Sequence, residues 1–429
     1  MNKLIYALTF ILFLHCTFKI ENCSAQWVQM SNGIGTDKIV HALTSNGSYI
    51  FAGAEGSGVY VSSNNGTSWS QTSLDSLNVS CFAVSGNKVF AGVNGSPNAS
   101  NGVYVTTNNG TSWTHIGLGT QDIYCLNVFG DVLLAGGYGV YLTLVAGGNW
   151  TLTSYNDQVI SSIETIGSTI FAGTPNNPSC SVHRSTNNCI TWSETALYDK
   201  EVSSLAALGN TNFVAGSSRG VYISPVSGSL WTSAGLSNDT ITTVITMGSN
   251  IFACTLGNFP NWSPGVFLSS NNGSSWRNRN QGLSFYTLVP EVLTLLIVNN
   301  YIFAGTMSYG SVYRRSYSDI IGIQNISTEI PSAYSLSQNY PNPFNPKTKI
   351  KFDVPVDDPE GTPRIRGNDR VVLKVYDELG KEIETIVNEK LNAGTYEVTF
   401  DASKYPSGVY FYRMQVGEYN DTKKMILLK

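Results

Sequence analysis

Apolar and polar positions alternate in short runs along most of this chain, and the runs recur. One unit reads Val40-His41-Ala42-Leu43, Ile50-Phe51-Ala52-Gly53 and Gly58-Val59-Tyr60-Val61, then the polar turn Ser62-Ser63-Asn64-Asn65-Gly66-Thr67-Ser68-Trp69. Its second run returns as Val89-Phe90-Ala91-Gly92, Leu133-Leu134-Ala135-Gly136, Ile170-Phe171-Ala172-Gly173, Phe213-Val214-Ala215-Gly216, Ile251-Phe252-Ala253-Cys254 and Ile302-Phe303-Ala304-Gly305. Seven copies, each with four short strands between Gly and Asn turns, predict seven blades of a β-propeller. A lone blade leaves both faces wet, whereas a blade between two neighbours buries both. The large aromatic then fills the space between blades, and Ala and Gly permit close approach.

The tryptophans count the same units independently. Trp27, Trp69, Trp113, Trp150, Trp192, Trp231 and Trp276 recur throughout the repeats, yet the seventh unit ends at Ser311-Val312-Tyr313 without one, while Trp27 has no repeat before it. Gln26–Met30 is therefore expected to supply the outer strand of the last blade, closing the ring without an open edge. A monomer is expected.

The turn returns as Thr106–Trp113 and Ser269–Trp276, with weaker copies at 185–192 and 224–231. It resembles the Asp-box, or BNR, repeat of sialidase-like propellers, with Asn64, Asn108, Asn187 and Asn271 where that family usually has Asp. The resemblance implies fold more strongly than activity. Asn bonds its own downstream backbone, Gly66, Gly110 and Gly273 supply a positive φ, and Trp69, Trp113 and Trp276 are expected to pack back across the blade. The motif reads as a folding device. A sialidase would also need an arginine triad, a Tyr-Glu pair and an acid, and no characteristic arginine motif stands near the N-terminus. A glycoside hydrolase is the alternative reading, and a binding scaffold the leading one. His41, His115 and His183 form no Ser-His-Asp constellation and read as packing or surface residues.

Beyond residue 333 the pattern changes. The opening Asn339-Tyr340-Pro341-Asn342-Pro343-Phe344-Asn345-Pro346 forbids a helix, and alternating strands follow at 348–354, 371–376, 382–388, 395–400, 409–416 and 422–428. These suit a small immunoglobulin-like β-sandwich. The opening, Pro406-Ser407-Gly408-Val409-Tyr410-Phe411-Tyr412-Arg413 and the tail Lys423-Lys424-Met425-Ile426-Leu427-Leu428-Lys429 together resemble the C-terminal sorting domain of the type IX, or Por, secretion system. That resemblance implies recognition by the secretion machinery through residues 334–429, with Tyr340, Pro341, Asn342, Pro343, Gly408, Tyr410, Lys423 and Lys424 as motif residues. It also implies delivery to the outer-membrane surface or exterior of a Gram-negative bacterium.

Charge sharpens the boundary. Residues 1–329 hold 11 Lys+Arg and 15 Asp+Glu, whereas residues 330–429 hold 14 of each. With a net charge of −4 and no basic stripe, nucleic acid is excluded as a partner. Lys3, the apolar run Leu4–Leu14 and the polar segment ending Cys23-Ser24-Ala25 form a signal-peptide layout too short to span a bilayer. The expected organisation is a signal peptide at 1–25, a propeller at 26–318, a linker at 319–333 and the sandwich at 334–429: all-β throughout. Five cysteines remain after cleavage, an odd number that argues against a disulfide framework. Cys81 and Cys125 read as buried thiols, while Cys180 and Cys189 flank one strand and are open to bridging.

Ahead of the first strands stand Asp37, Asn78, Asp122, Asp157, Glu201, Asp239 and Glu291. If these loops converge, the channel mouth is ringed by oxygen ligands suited to a cation or a polyhydroxylated ligand, against the plainer reading of acidic residues in solvated turns. No cofactor is implied. Phe259 and Trp262, in the long loop Leu256–Pro264 on the same expected face, are candidates for stacking on a glycan or anchoring a protein.

Overall fold

The computed structural model describes residues 26–429 apart from 96–99, 176–180, 257–263, 284–288, 308–309, 328, 356–369, 390 and 392. Seven four-stranded antiparallel sheets come first. Blade one comprises Val40–Asn46, Tyr49–Ala54, Gly58–Ser62 and Ser70–Gln71, and the next five repeat this order from the inner to the outer edge. Blade seven takes three strands from Val292–Val298, Tyr301–Thr306 and Val312–Ser316, and its fourth from Val28–Gln29, which pairs Val28 with Arg314 and Gln29 with Tyr313.

The recurring aromatic-Ala-Gly run explains how blades stack. Phe51, Phe90, Phe171, Phe213, Phe252 and Phe303 are all fully buried in the middle of second strands. A Cβ on Gly53 would stand 2.7 Å from Val79 of the next blade, and Gly92, Gly136, Gly173 and Gly216 face Ile123, Ile160, Val202 and Ile241 in the same way. Gly305 of blade seven meets Val40 of blade one, so the circle closes. In each case the glycine admits a β-branched side chain from the neighbour against its backbone.

Two further four-stranded sheets form the C-terminal sandwich. One has the order Ile323–Ser327, Gly394–Asp401, Lys347–Val354 and Ser335–Leu336; the other Glu382–Glu389, Val371–Tyr376, Gly408–Val416 and Tyr419–Leu427. Their inner faces share one core, including Phe344, Phe352, Phe400, Tyr412, Met414 and Leu427. The stretch 319–333, expected as a linker, holds the end of a helix, Tyr317–Ile321, and the strand Ile323–Ser327. Ile320 is fully buried beneath the propeller, Ile323 belongs to the sandwich core, and Ile321 packs against both. The connection is built into the two cores it joins.

Candidate functional site

The starts of first strands lie opposite the ends of second strands, as in the pairs Val40 with Ala54 and Val79 with Val93, so the loops before first strands and after second strands share one face. The inner strands begin with a register shift on the partner strand that leaves His41, Ser80, Ser203, Thr242 and Leu293 unpaired in five blades. Bulges of this kind re-aim a side chain. In blade two Ser80 Oγ reaches the carbonyls of Gly92 and Ile123, the second in the next blade. Ser161 reaches Gly173 and Val202, Ser203 reaches Gly216 and Ile241, and Thr242 reaches Cys254 and Val292. Four hydroxyls thus staple consecutive blades at the channel mouth.

Blades one, three and seven depart from this rule. His41 Nε2 instead stands 2.9 Å from Glu55 Oε2, and Leu293 has no hydroxyl to donate. Tyr124 of blade three is 37% exposed, and Tyr138 in the following loop is 59% exposed. Burial and then the neighbouring Asp122 raise the Tyr124 phenol above its ordinary pKa, so it stays a neutral hydroxyl at physiological pH.

Of the seven ring positions, Asn78 and Asp122 anchor loops with their side chains. Asp122 accepts from Gly95 N at 2.7 Å and Asn101 Nδ2 at 2.8 Å, and Asn78 from Gly56 N at 2.6 Å. Asp37 is largely exposed beside Lys38, at 3.5 Å. Glu201 and Glu291 accept loop amides through their main-chain carbonyls, from Ser218 and Met307. Asp239 does likewise for Gly220, and burial raises its carboxyl pKa. Asp157 lies near Tyr155, whose pKa is raised by burial first, and near His183, whose pKa burial lowers. Among the described residues no three His, Cys, Asp or Glu side chains group to hold a metal ion. Phe259, Trp262 and Cys180 lie outside the described residues. Cys81, Cys125, Cys189 and Cys254 are free thiols, and burial raises the pKa of each, Cys81 to about 12. They are poor nucleophiles for that reason.

The turn motif repeats atom for atom. Asn64 Oδ1 accepts from Ser68 N at 2.9 Å and from Ser62 Oγ at 2.9 Å, while Ser62 Oγ accepts from Gly66 N at 2.9 Å. Asn108 and Asn271 repeat this with Gly110 and Gly273, and Asn187 with Cys189. Asn65 and Gly66 have φ of 54° and 79°. The tryptophan packs against its own blade, as Trp231 does edge-on against Phe213 at 4.7 Å, and its indole N–H also reaches the blade before it. Trp69 Nε1 donates to Met30 O and Trp276 Nε1 to Ala234 O, each on the preceding blade. Trp27, Trp113, Trp150 and Trp231 do the same to Arg279, Thr72, Ile116 and Thr195. Trp192 is the exception, with Nε1 buried and unpaired.

In the sandwich, three motifs far apart in sequence meet. Phe344 N donates to Ile426 O and Leu428 N to Phe344 O, so the opening lies alongside the tail. Asn342 accepts from Ile426 N at 2.9 Å and donates to Lys424 O at 3.3 Å. Gly408 pairs with Leu427, and the buried Tyr410 donates its hydroxyl to Pro406 O at 2.7 Å. Tyr340 is 80% exposed, next to Pro341 and Pro343, which line a shallow cleft with Leu428. Lys423 is held 3.1 Å from Asp421.

Residues 338–428 match the family model of the secretion system C-terminal sorting domain. The chain is a secreted β-propeller that carries a type IX sorting domain, delivered to the cell surface or beyond it. No curated protein matches the chain. Among solved structures it is similar to PorZ, an essential bacterial surface component of the type IX secretion system of Porphyromonas gingivalis, at 12% identity and TM-score 0.53, over 91% of this chain and 59% of that one. The GH74 xyloglucanase of Xanthomonas campestris is similar at 12% identity and TM-score 0.55, over 76% of this chain and 59% of that one, and the RRP9 WD40 repeats at 13% and 0.54, over 68% and 98%. Such identities establish the fold alone. No helix among the described residues is long and apolar enough to cross a membrane.

Proposed function

We propose that the protein is an exported binding scaffold whose propeller takes a glycan on the loop face. One observation carries this reading: where four blades use a Ser or Thr to staple their neighbour, blade three places Tyr124 at the mouth, with Tyr138 exposed in the adjoining loop. A tyrosine offers an apolar face to a sugar ring and a hydroxyl to its polar rim. The neutral phenol of Tyr124 and the anchored carboxylate of Asp122 add a donor and an acceptor beside it. The Asp-box-like turns, engaged in their own backbone and in neighbouring blades, act structurally. The sorting machinery reads the joined surface of Tyr340, Asn342 and the C-terminal strand.

The test is a glycan array with the mature chain, followed by titration of any hit. Replacing Tyr124 and Tyr138 by Ala, singly, is expected to weaken binding at least about tenfold, the loss of one stacking and hydrogen-bonding partner. Hits that bind both variants as tightly as the parent would sink the reading.

A further inference from the structure

The outer strand of blade six, the connector and the sandwich enclose a crevice of about 530 Å3, lined among others by Trp276, Arg277, Arg279, Ile321 and Lys404. Its cations outnumber the acids available to them. Glu384, with only 4% of its side chain exposed, is shared: Arg277 donates to Oε1, Lys404 Nζ stands 3.4 Å from Oε2, and the Tyr405 hydroxyl donates to Oε2 at 2.9 Å. The two carboxylates lining the crevice are already taken by lysines of a neighbouring strand, Glu397 by Lys349 at 2.7 Å and Asp401 by Lys347 at 3.3 Å. Among the described residues Arg279 has no acid beside it, and its Nε is buried without a hydrogen bond. Arg277 and Lys404, both partly exposed, therefore share the buried Glu384, Asp401 adds its field to Lys404, and the largely buried Arg279 is left for a counter-charge to satisfy.

We infer that this crevice binds a small anion bearing phosphate or carboxylate groups, held by Arg277, Arg279 and Lys404 between the propeller and the sorting domain. Guanidinium forks match both oxyanions in geometry. The volume lies within the range of small-molecule sites and exceeds what a bare oxyanion needs. Trp276 and Ile321 supply an apolar wall, and Ser275, Thr399 and Ser403 line the same crevice with hydroxyls, which suits a sugar phosphate or a polycarboxylate. The charge state agrees: burial and then Arg277 and Arg315 push the Arg279 pKa down to about 10, and burial and then Arg277 lower that of Lys404 against the opposing pull of Asp401. Because both domains line the site, a bound anion ties them together.

The mature chain is titrated with pyrophosphate, citrate and glucose 6-phosphate while its melting temperature is followed, with glucose and with potassium chloride at equal ionic strength as controls. The anions are expected to raise the melting temperature in a saturable way, and the controls are not. Arg279→Gln and Lys404→Gln are each expected to weaken the apparent affinity at least about tenfold, the loss of one charge-assisted bond. Lys374→Gln, on the exposed Lys374–Glu382 pair, serves as the unaffected control. A response to phosphates alone or to carboxylates alone upholds the site and identifies the group. An equal response to chloride, or two variants that bind as the parent does, overturns it.

Discussion

Six of the seven repeat tryptophans donate Nε1 to the preceding blade, and Trp192 does not. The pair Trp69 and Trp192 therefore separates the hydrogen bond from the ring. Both lose similar volume on replacement by Phe, but only Trp69→Phe leaves a carbonyl, that of Met30, without its donor. Urea unfolding is expected to show Trp69→Phe less stable than Trp192→Phe by about 1 kcal/mol, the net worth of one such bond. Equal losses would mean that the girdle is packing alone. This detail was not legible in the sequence, where the Asn-Gly turn and the tryptophan register could be read but not the tryptophan's partner. Trp69 immediately precedes the outermost strand, Ser70–Gln71, and the acceptor its N–H meets, Met30 O, comes from a segment 39 residues earlier in the chain, a pairing no local pattern marks. Tyr124 was missed for a different reason. Only superposing the repeats at the register of Ser80, Ser161, Ser203 and Thr242 reveals Tyr124 where four blades carry a small hydroxyl.

At the scale of elements, strands were easier to read than connections. The aromatic-Ala-Gly run is local and repeated, and it marks second strands wherever it stands. Ile323–Ser327 carries no such mark. It becomes a strand by pairing Ile323 with Val398 and Ser327 with Thr395, contacts more than sixty residues away. The sorting surface is non-local in the same sense, since Asn342 clamps the main chain of Lys424 and Ile426 across the sandwich. If the machinery reads this joined shape rather than a linear tail, Asn342→Ala should trap the protein in the periplasm and cut the exported fraction severalfold, although every tail residue is intact. Lys374→Gln, on the exposed pair with Glu382, should export normally. Undiminished export of Asn342→Ala, measured by fractionation and blotting, would assign recognition to the tail sequence alone.

At the scale of the molecule, the ring depends on one short segment. Trp27, 2% exposed, packs with Tyr313 and reaches Arg279 of blade six, while Met30 accepts from Trp69 of blade one and Ser31 donates to Gly310. Residues 26–32 thus join blade seven to both neighbours and supply its outer strand. Removing them exposes the unpaired edge of Val312–Ser316 and deletes a buried tryptophan, worth about 3–5 kcal/mol on truncation, with further hydrogen bonds of about 1 kcal/mol each. At roughly 2–4 °C per kcal/mol for domains of 150–250 residues, and somewhat less for a larger ring, the melting temperature is expected to fall by about 10 °C or more. A free strand edge also invites pairing between copies, so the truncated chain should elute earlier than the parent in size-exclusion chromatography. A truncated chain that melts with the parent and elutes as one copy would mean that the blades hold the circle without this strand. The sorting domain gives an internal control: although Ile320 and Tyr317 share a cluster with Trp27, the sandwich has a core of its own that includes no residue of 26–32, so it should remain folded when the ring opens.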